Sequence, residues 1–489
     1  MTPNFYLRDS GLALLGGPKL LGAVAIVLFI SALLVRRLLV RGRKPTLTQV
    51  SPHVLQFPPS RRHALTRLPG FEKSAEQVEI PTEILRLRAL PTTKQADLGE
   101  DNQYTPTGFS TQDIRALGRF PDYAVLSGVR YPAPCSPNWD ISRALFRPFR
   151  PFRWGYHQHM ALMKLDPDWW VELEQNYHQT MAARMELLKT HGDRIFFTGS
   201  DGAAATDLAC RELMEMLLQF VCKRYPQHFE LSADKNVFTN RLLGTQADLA
   251  DPKLHPLRAL FENLPEDYAL MLRNEADGLY YLRAAMVCSS VGWDIAQHRD
   301  EPLRQIHTHV PDYADKMAPS MDRYFSKMPT DAPIQRCSWS LEDWQAMFTS
   351  PEVEKNKGGE WTRSAFASDP AALTPKDLKL RCDWQTLRRL PLSGAIVFNF
   401  KAVFTPLAQL RDEPFIPALL LKVLQEGKEN LINYKCVDHV RKVAMEALEV
   451  WAKEQVQSGI VPENWEVGTL EDSPFFPGWE DKWHRLQGF

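Results

Sequence analysis

The sequence predicts an α+β fold set behind a single N-terminal membrane span, and three observations carry that reading. Leu20 to Val35 is an apolar run without a charge. Two β-rich runs flank Asn274 to Gly278, whose Asp277-Gly278 pair is a hairpin turn signal. Stretches with helical periodicity lie before, between and after such strands, the pattern of an α+β unit.

The span comes first. Gly11 to Pro18 extends the apolar run across Lys19, whose ammonium can snorkel, so the chain divides into a short segment 1–17 and a transmembrane helix 18–40. Arg36, Arg37, Arg41, Arg43 and Lys44 follow the run, against Arg8 and Lys19 before or beside it. That asymmetry predicts a single-pass protein with its C-terminal bulk in the cytosol. A cleaved signal peptide fits badly, because the positive charge stands on the wrong side. The seven cysteines are odd in number and form no close pairs, which suits reduced thiols packed as small core residues. No Asn-x-Ser/Thr acceptor occurs, in keeping with a cytosolic domain.

Residues 41–101, rich in Pro, Arg, Thr and Gln, read as a linker in which Leu85, Leu87 and Leu90 alternate loosely as a strand or docking arm. Residues 102–489 form the folded part, its strand-rich core at about 257–410 and C-terminal helices at 411–489. At 489 residues and 44% hydrophobic the chain can bury a large core, and a net charge of −1 excludes an ordinary nucleic-acid binder.

Arg143 to Tyr156 interleaves arginines with aromatics and reads as a strap packed on the core; Arg contacts to carboxylates or phosphates are the sharper alternative. Trp169 to Lys189 and Asp207 to Lys223 read as helices, with Asp166 and Asp168 in the first turn of the former. A loop region around Pro226, Pro252 and Pro256 leads to a short helix at Leu257 to Leu264. The hairpin pairs a strand from Tyr268 with one at Leu279 to Cys288. Helical segments around Asp294 to His298 and Ala314 to Met328 follow, then strands at Ile334 to Leu341, Trp384 to Leu390 and Ala395 to Phe404. A helix at Val437 to Gln455 closes the chain, and no internal repeat is visible.

The chemistry concentrates in Pro302 to Pro311, where His307 stands among Ile306, Val310 and two prolines. A lone imidazole beside apolar residues is either a hydrogen-bonded core group or a metal ligand. Arg336, Arg388 and Arg389 occupy strand positions beside apolar residues, where an unpaired guanidinium is costly, so each needs a carboxylate partner.

Several motifs occur in one order: Glu266-Asp267-Tyr-Ala-Leu-Met, Pro302-Leu-Arg-Gln-Ile-His307-Thr-His-Val-Pro311, Ser320-Met-Asp-Arg-Tyr-Phe325, Ile334-Gln-Arg336-Cys-Ser-Trp339-Ser and Gln385-Thr-Leu-Arg388-Arg389-Leu-Pro391-Leu-Ser-Gly. Together they resemble the haem-dependent oxidative N-demethylase alpha-subunit family, from about Trp139 to the C-terminal helix, in a fungal-type, membrane-anchored build. The resemblance implies a PAS-like antiparallel sheet with inserted and flanking helices, a bound haem and oxidative removal of a methyl group from a small amine. It also implies that His307 is the proximal iron ligand. Such an enzyme needs cations for the haem propionates, a dry pocket and a proton route. Arg336, Arg388 and Arg389 meet either propionates or, in structural ion pairs, Glu266 and Asp267. Those two carboxylates are alternatively the anchor for a substrate ammonium. His309 stands where the family commonly has Pro, and Trp384 where it has Arg. His309 is a competing ligand, a distal donor or, the favoured reading, solvent-facing.

No Gly-x-Gly-x-x-Gly follows a strand and no cysteines have iron–sulfur spacing, so no nicotinamide or iron–sulfur site is expected on this chain and a separate reductase is implied. Two other function classes compete. A PAS-like pocket also serves a haem or small-molecule sensor without turnover. A type II glycosyltransferase built on Asp166-Pro167-Asp168 is disfavoured by the charge flanks.

Overall fold

The computed structural model describes residues 105–488, apart from 110, 156–159, 199–203, 275, 291–292, 309, 311, 346, 349–371 and 437. The predicted span, the linker with Leu85 to Leu90, and His309 lie outside the described residues. No helix among the described residues is long and apolar enough to cross a membrane.

The architecture is α+β around two antiparallel sheets. The principal sheet has seven strands in the order β1-β8-β9-β10-β6-β7-β2: β1 Met163–Lys164, β2 Phe196–Thr198, β6 Asp267–Arg273, β7 Tyr280–Met286, β8 Ile334–Glu342, β9 Lys379–Arg389 and β10 Ile396–Pro406. A three-stranded sheet joins β3 Phe229–Leu231, β4 Val237–Asn240 and β5 Thr245–Asp248. The expected hairpin is present. In its turn the Asp277 carboxylate accepts from the Leu279 amide at 2.9 Å, and Gly278 takes φ +74°. The β9–β10 turn needs Gly394 more strictly, because φ is +74° and a Cβ would lie 2.9 Å from Pro106. Glu212 on the helix Ala204–Arg224 accepts from the backbone amides of Leu392 and Ser393, tying that turn to the helical layer.

Three sequence expectations change. The helix expected from Trp169 begins at Tyr177: Pro167–Trp169 forms a 3₁₀ turn capped by Asp166, and Asp168 is taken by Arg130 at 2.6 Å and the Ala133 amide at 2.8 Å. The region read as loops around Pro226 to Pro256 contains the small sheet, whose strands are too short and polar to alternate clearly. The principal sheet also recruits β1 and β2 at its edges, upstream of 257.

The principal sheet buries both faces. One packs in a large core against the helices Ala204–Arg224, Glu429–Lys435 and Asp438–Gln457. The other meets a smaller core built from Ile295, Leu303, Tyr313, Met317, Met321 and Phe325, contributed by short helical turns between β7 and β8. All seven cysteines are free thiols, and six are buried.

Candidate functional site

A cavity of about 290 Å³ opens between the principal sheet and that short-helix cap. Strand alternation builds its floor. Arg381, Asp383 and Gln385 of β9 line it, whereas Leu380, Cys382 and Trp384, one residue out of phase, are buried in the larger core. Register carries the same face across the sheet, since Phe398 lies opposite both Leu387 and Ala269, and Phe400 opposite Gln385. Leu303, Ile306, Val310, Tyr313, Met317 and Met321 form an apolar roof.

His307 lines this cavity at the C-terminal end of the four-residue helix Leu303–Ile306. Its Nδ1 lies 2.9 Å from the Leu303 carbonyl oxygen, and its ring stacks on Tyr313 with centroids 4.8 Å apart. A carbonyl only accepts, so the proton sits on Nδ1 and the lone pair is on Nε2. Burial pushes the imidazole down to about 4, the Arg336 charge adds to the effect, and the Leu303 hydrogen bond opposes it. Neutral, oriented and beside open space, the ring meets the requirements of a nitrogen ligand.

Arg336 shares the cavity wall and makes no hydrogen bond or ion pair among the described residues; its Nε is buried without a partner. Burial lowers its proton affinity, as expected of a guanidinium with no facing anion. Arg153, from the aromatic strap, also lines the cavity with no hydrogen bond or ion pair among the described residues. Two guanidinium groups able to receive carboxylates therefore stand in the same wall as the neutral imidazole.

The other residues singled out by sequence lie elsewhere. Arg388 is on the opposite face, 4.3 Å above the Trp170 ring, with one hydrogen bond to Ser127 Oγ at 3.2 Å; burial lowers it to about 10. Arg389 faces the cap side without lining the cavity, donating to the Met328 carbonyl at 2.6 Å, Tyr280 Oη at 2.7 Å, the Gly394 carbonyl at 2.9 Å and the Phe325 carbonyl. Neither pairs with Glu266 or Asp267. Glu266 accepts from Asn399 Nδ2 at 2.7 Å and the Glu172 amide at 3.1 Å, with Lys401 Nζ 3.7 Å away; burial raises it to about 7 against that cation. Asp267 pairs with Arg184 and accepts from the Ser289 amide and hydroxyl at 2.7 and 2.6 Å. Both carboxylates are committed behind the wall, although Lys401 and Ser289 line the cavity.

Sequence reasoning missed Arg381, Asp383, Gln385 and His298 as cavity residues, while Arg153 belongs to the stretch whose arginines were offered as contacts to carboxylates or phosphates. The period-two row Arg381, Asp383, Gln385 was a usable signal once the strand was extended back to Lys379. His298 carried none, because a 3₁₀ turn places it at the wall. Trp293 and Trp339 also face the cavity, while Trp384 is buried on the other side with its indole N–H on Gln335 Oε1 at 3.0 Å. Among the described residues no group of three metal-ligating side chains comes together, so the nitrogen of a single imidazole, with cations for carboxylates, fits a prosthetic group better than a bare ion.

Residues 161–445, more than half of the chain, match the family described as haem-dependent oxidative N-demethylase, alpha subunit-like. The matched region holds the principal sheet, the cap and the cavity wall except Pro151 and Arg153.

Proposed function

The chain belongs to the haem-dependent oxidative N-demethylase alpha-subunit-like family, and on that premise we propose that it is a haem-dependent oxidoreductase that removes a methyl group from a small N-methylated amine. The observation that carries this reading is His307, with Nδ1 held by the Leu303 carbonyl and the ring in the cavity wall. His307 would ligate the iron, and Arg336 with Arg153 would receive the propionates. Bound haem would supply oxygen activation, which no side chain in the wall provides.

The protein's own residues do the rest. The roof of Leu303, Ile306, Met317 and Met321 excludes water, and Tyr313 keeps the His307 ring from rotating. Glu266 and Asp267 act as positioning residues, through Lys401 and Ser289. Arg388 and Arg389 fix the frame, one against Trp170 and one against the cap. The balanced reaction takes a secondary methylamine, dioxygen, two electrons and two protons to the demethylated amine, formaldehyde and water. The electrons come from a separate reductase. A PAS-like lineage of the sheet and a membrane tether with the domain in the cytosol complete the proposal, the latter resting on the basic cluster Arg36 to Lys44.

The test is formaldehyde release by the purified full chain from an N-methylated amine with an artificial electron donor. Release that depends on haem supports the reading. A haem spectrum without release moves the protein to the sensor class.

A further inference from the structure

We infer that His298 and Glu301 form a proton relay from solvent into the cavity, an inference that rests on the haem reading above. The cavity holds a second imidazole whose surroundings differ from those of His307 in the way that matters for proton transfer. His298 ends the 3₁₀ turn Ile295–His298 and lines the cavity, and its Nδ1 lies 2.8 Å from Glu301 Oε2. The Glu301 side chain is 35% exposed and that of His298 18%, so the carboxylate reaches solvent while the ring reaches the cavity.

The pair is rigidly mounted. Asp294 caps the turn through the Ala296 amide at 2.9 Å and is itself held by Arg194. Glu301 donates its amide to the His298 carbonyl at 3.1 Å, and its carbonyl accepts from the Leu282 amide of β7 at 3.0 Å. The bend between them is set by Asp300, at φ +62°, whose amide donates to the Leu282 carbonyl at 2.8 Å. The Glu301 end of the dyad is therefore fastened to β7, and the His298 end to the turn that Asp294 caps and Arg194 holds.

His307 is unsuited to carrying protons, because its Nδ1 partner is a neutral backbone carbonyl that cannot balance the charge of an imidazolium. His298 has a carboxylate there. Glu301 accepts from Nδ1–H and stabilises the imidazolium formed when Nε2 takes a proton from water at the cavity mouth; Nε2 then gives that proton into the cavity and the ring returns to its Nδ1–H form, so the dyad resets after each transfer. Two such transfers match the two protons that oxidative demethylation consumes, with electrons arriving from the reductase. The other carboxylates near the wall are poorly placed for this task, since Asp383 is bound to Arg381 Nε at 2.7 Å and Glu266 lies in the closed core.

The experiment uses full-length protein carrying His298→Asn or Glu301→Gln. Both variants should keep the parent haem spectrum and lose formaldehyde formation on the order of 100-fold, with hydrogen peroxide released instead. Added imidazole should restore turnover in His298→Gly. A second readout needs no haem: in protein labelled with ¹⁵N-histidine, Glu301→Gln should slow exchange of the His298 ring proton with solvent. Loss of the haem spectrum in His298→Asn would make His298 a ligand and overturn the relay. So would unchanged turnover, or a drop in stability in Glu301→Gln with ring-proton exchange unaltered. A parent without a haem spectrum would sink the proposed function alone, and the exchange measurement would still decide the relay.

Discussion

The two faces of the principal sheet are built from the same strands and hold their arginines differently. On the helical face, Arg147 binds Glu172 at 2.8 Å and Arg150 binds Glu413 at 2.7 Å, while Arg388 is stacked on Trp170. On the cap face, Arg336 stands in the wall without an anion and His307 stands neutral beside open space. Arg388 is stacked on a ring within the core, whereas Arg336 stands in the wall of the open cavity, where desolvation without a partner costs several kcal/mol on the order-of-magnitude scale of buried ions. The closed face holds the structure together, and the open face leaves a guanidinium and a neutral imidazole beside the cavity, as the proposed haem site requires.

That contrast can be broken by substitution. The largest effect is expected on the closed face: Glu413→Ala leaves Arg150 buried and uncompensated and should cost about 3–5 kcal/mol in denaturant unfolding. A loss below about 1 kcal/mol would show that the pair is not desolvated. Next come the neighbours Arg388 and Arg389, which alternation sends to opposite faces. Arg389→Ala orphans buried carbonyls at the end of the helix Ala318–Lys327 and should cost about 3 kcal/mol. Arg388→Ala loses a stacking contact and one hydrogen bond, about 1 kcal/mol. Equal losses would argue that the faces are equivalent.

Arg336→Met sharpens the comparison because its effects should diverge. Thermal stability of the haem-free protein should stay level or rise, since an unmatched charge is removed, while haem affinity falls about tenfold or more. Falling stability would indicate an internal partner for this guanidinium. The smallest effect concerns Glu266. Its carboxyl, raised by burial to about 7, holds a proton that the unfolded chain releases near the ordinary value of 4.5. Stability from this group is full below that ordinary value and is lost as pH rises through about 7. Glu266→Gln should therefore flatten the decline in melting temperature between about pH 5 and 8; an unchanged slope would place the carboxylate's charge firmly with Lys401.

Much of this was legible in the sequence where one local rule dominates. The Asp277-Gly278 turn, the β10 strand, the second half of β9 and the apolar flank of His307 each follow from short-range patterns that tertiary contacts reinforce. The face each arginine occupies was legible as a difference, not as an assignment: alternation separates Arg388 from Arg389, but only packing decides which side meets Trp170. Edge strands of two or three residues, such as β1 and β2, carry too few side chains for a period to show. The delayed helix start at Tyr177 reflects chain between Trp170 and Asn176 that is anchored at Glu266 instead of continuing the helix. His298 was invisible because its role comes from a turn that folds back on β7, a contact no local pattern encodes.

The central claim, that the open face is a haem site hung on His307, is tested most directly by titrating haem into the purified full-length protein and into His307→Ala while recording the absorption spectrum. A saturable, ligated haem spectrum is expected in the parent and its loss in His307→Ala, with the fold and melting temperature of the variant largely preserved. A parent that yields only the spectrum of free haem, or a His307→Ala variant that binds haem like the parent, would contradict it.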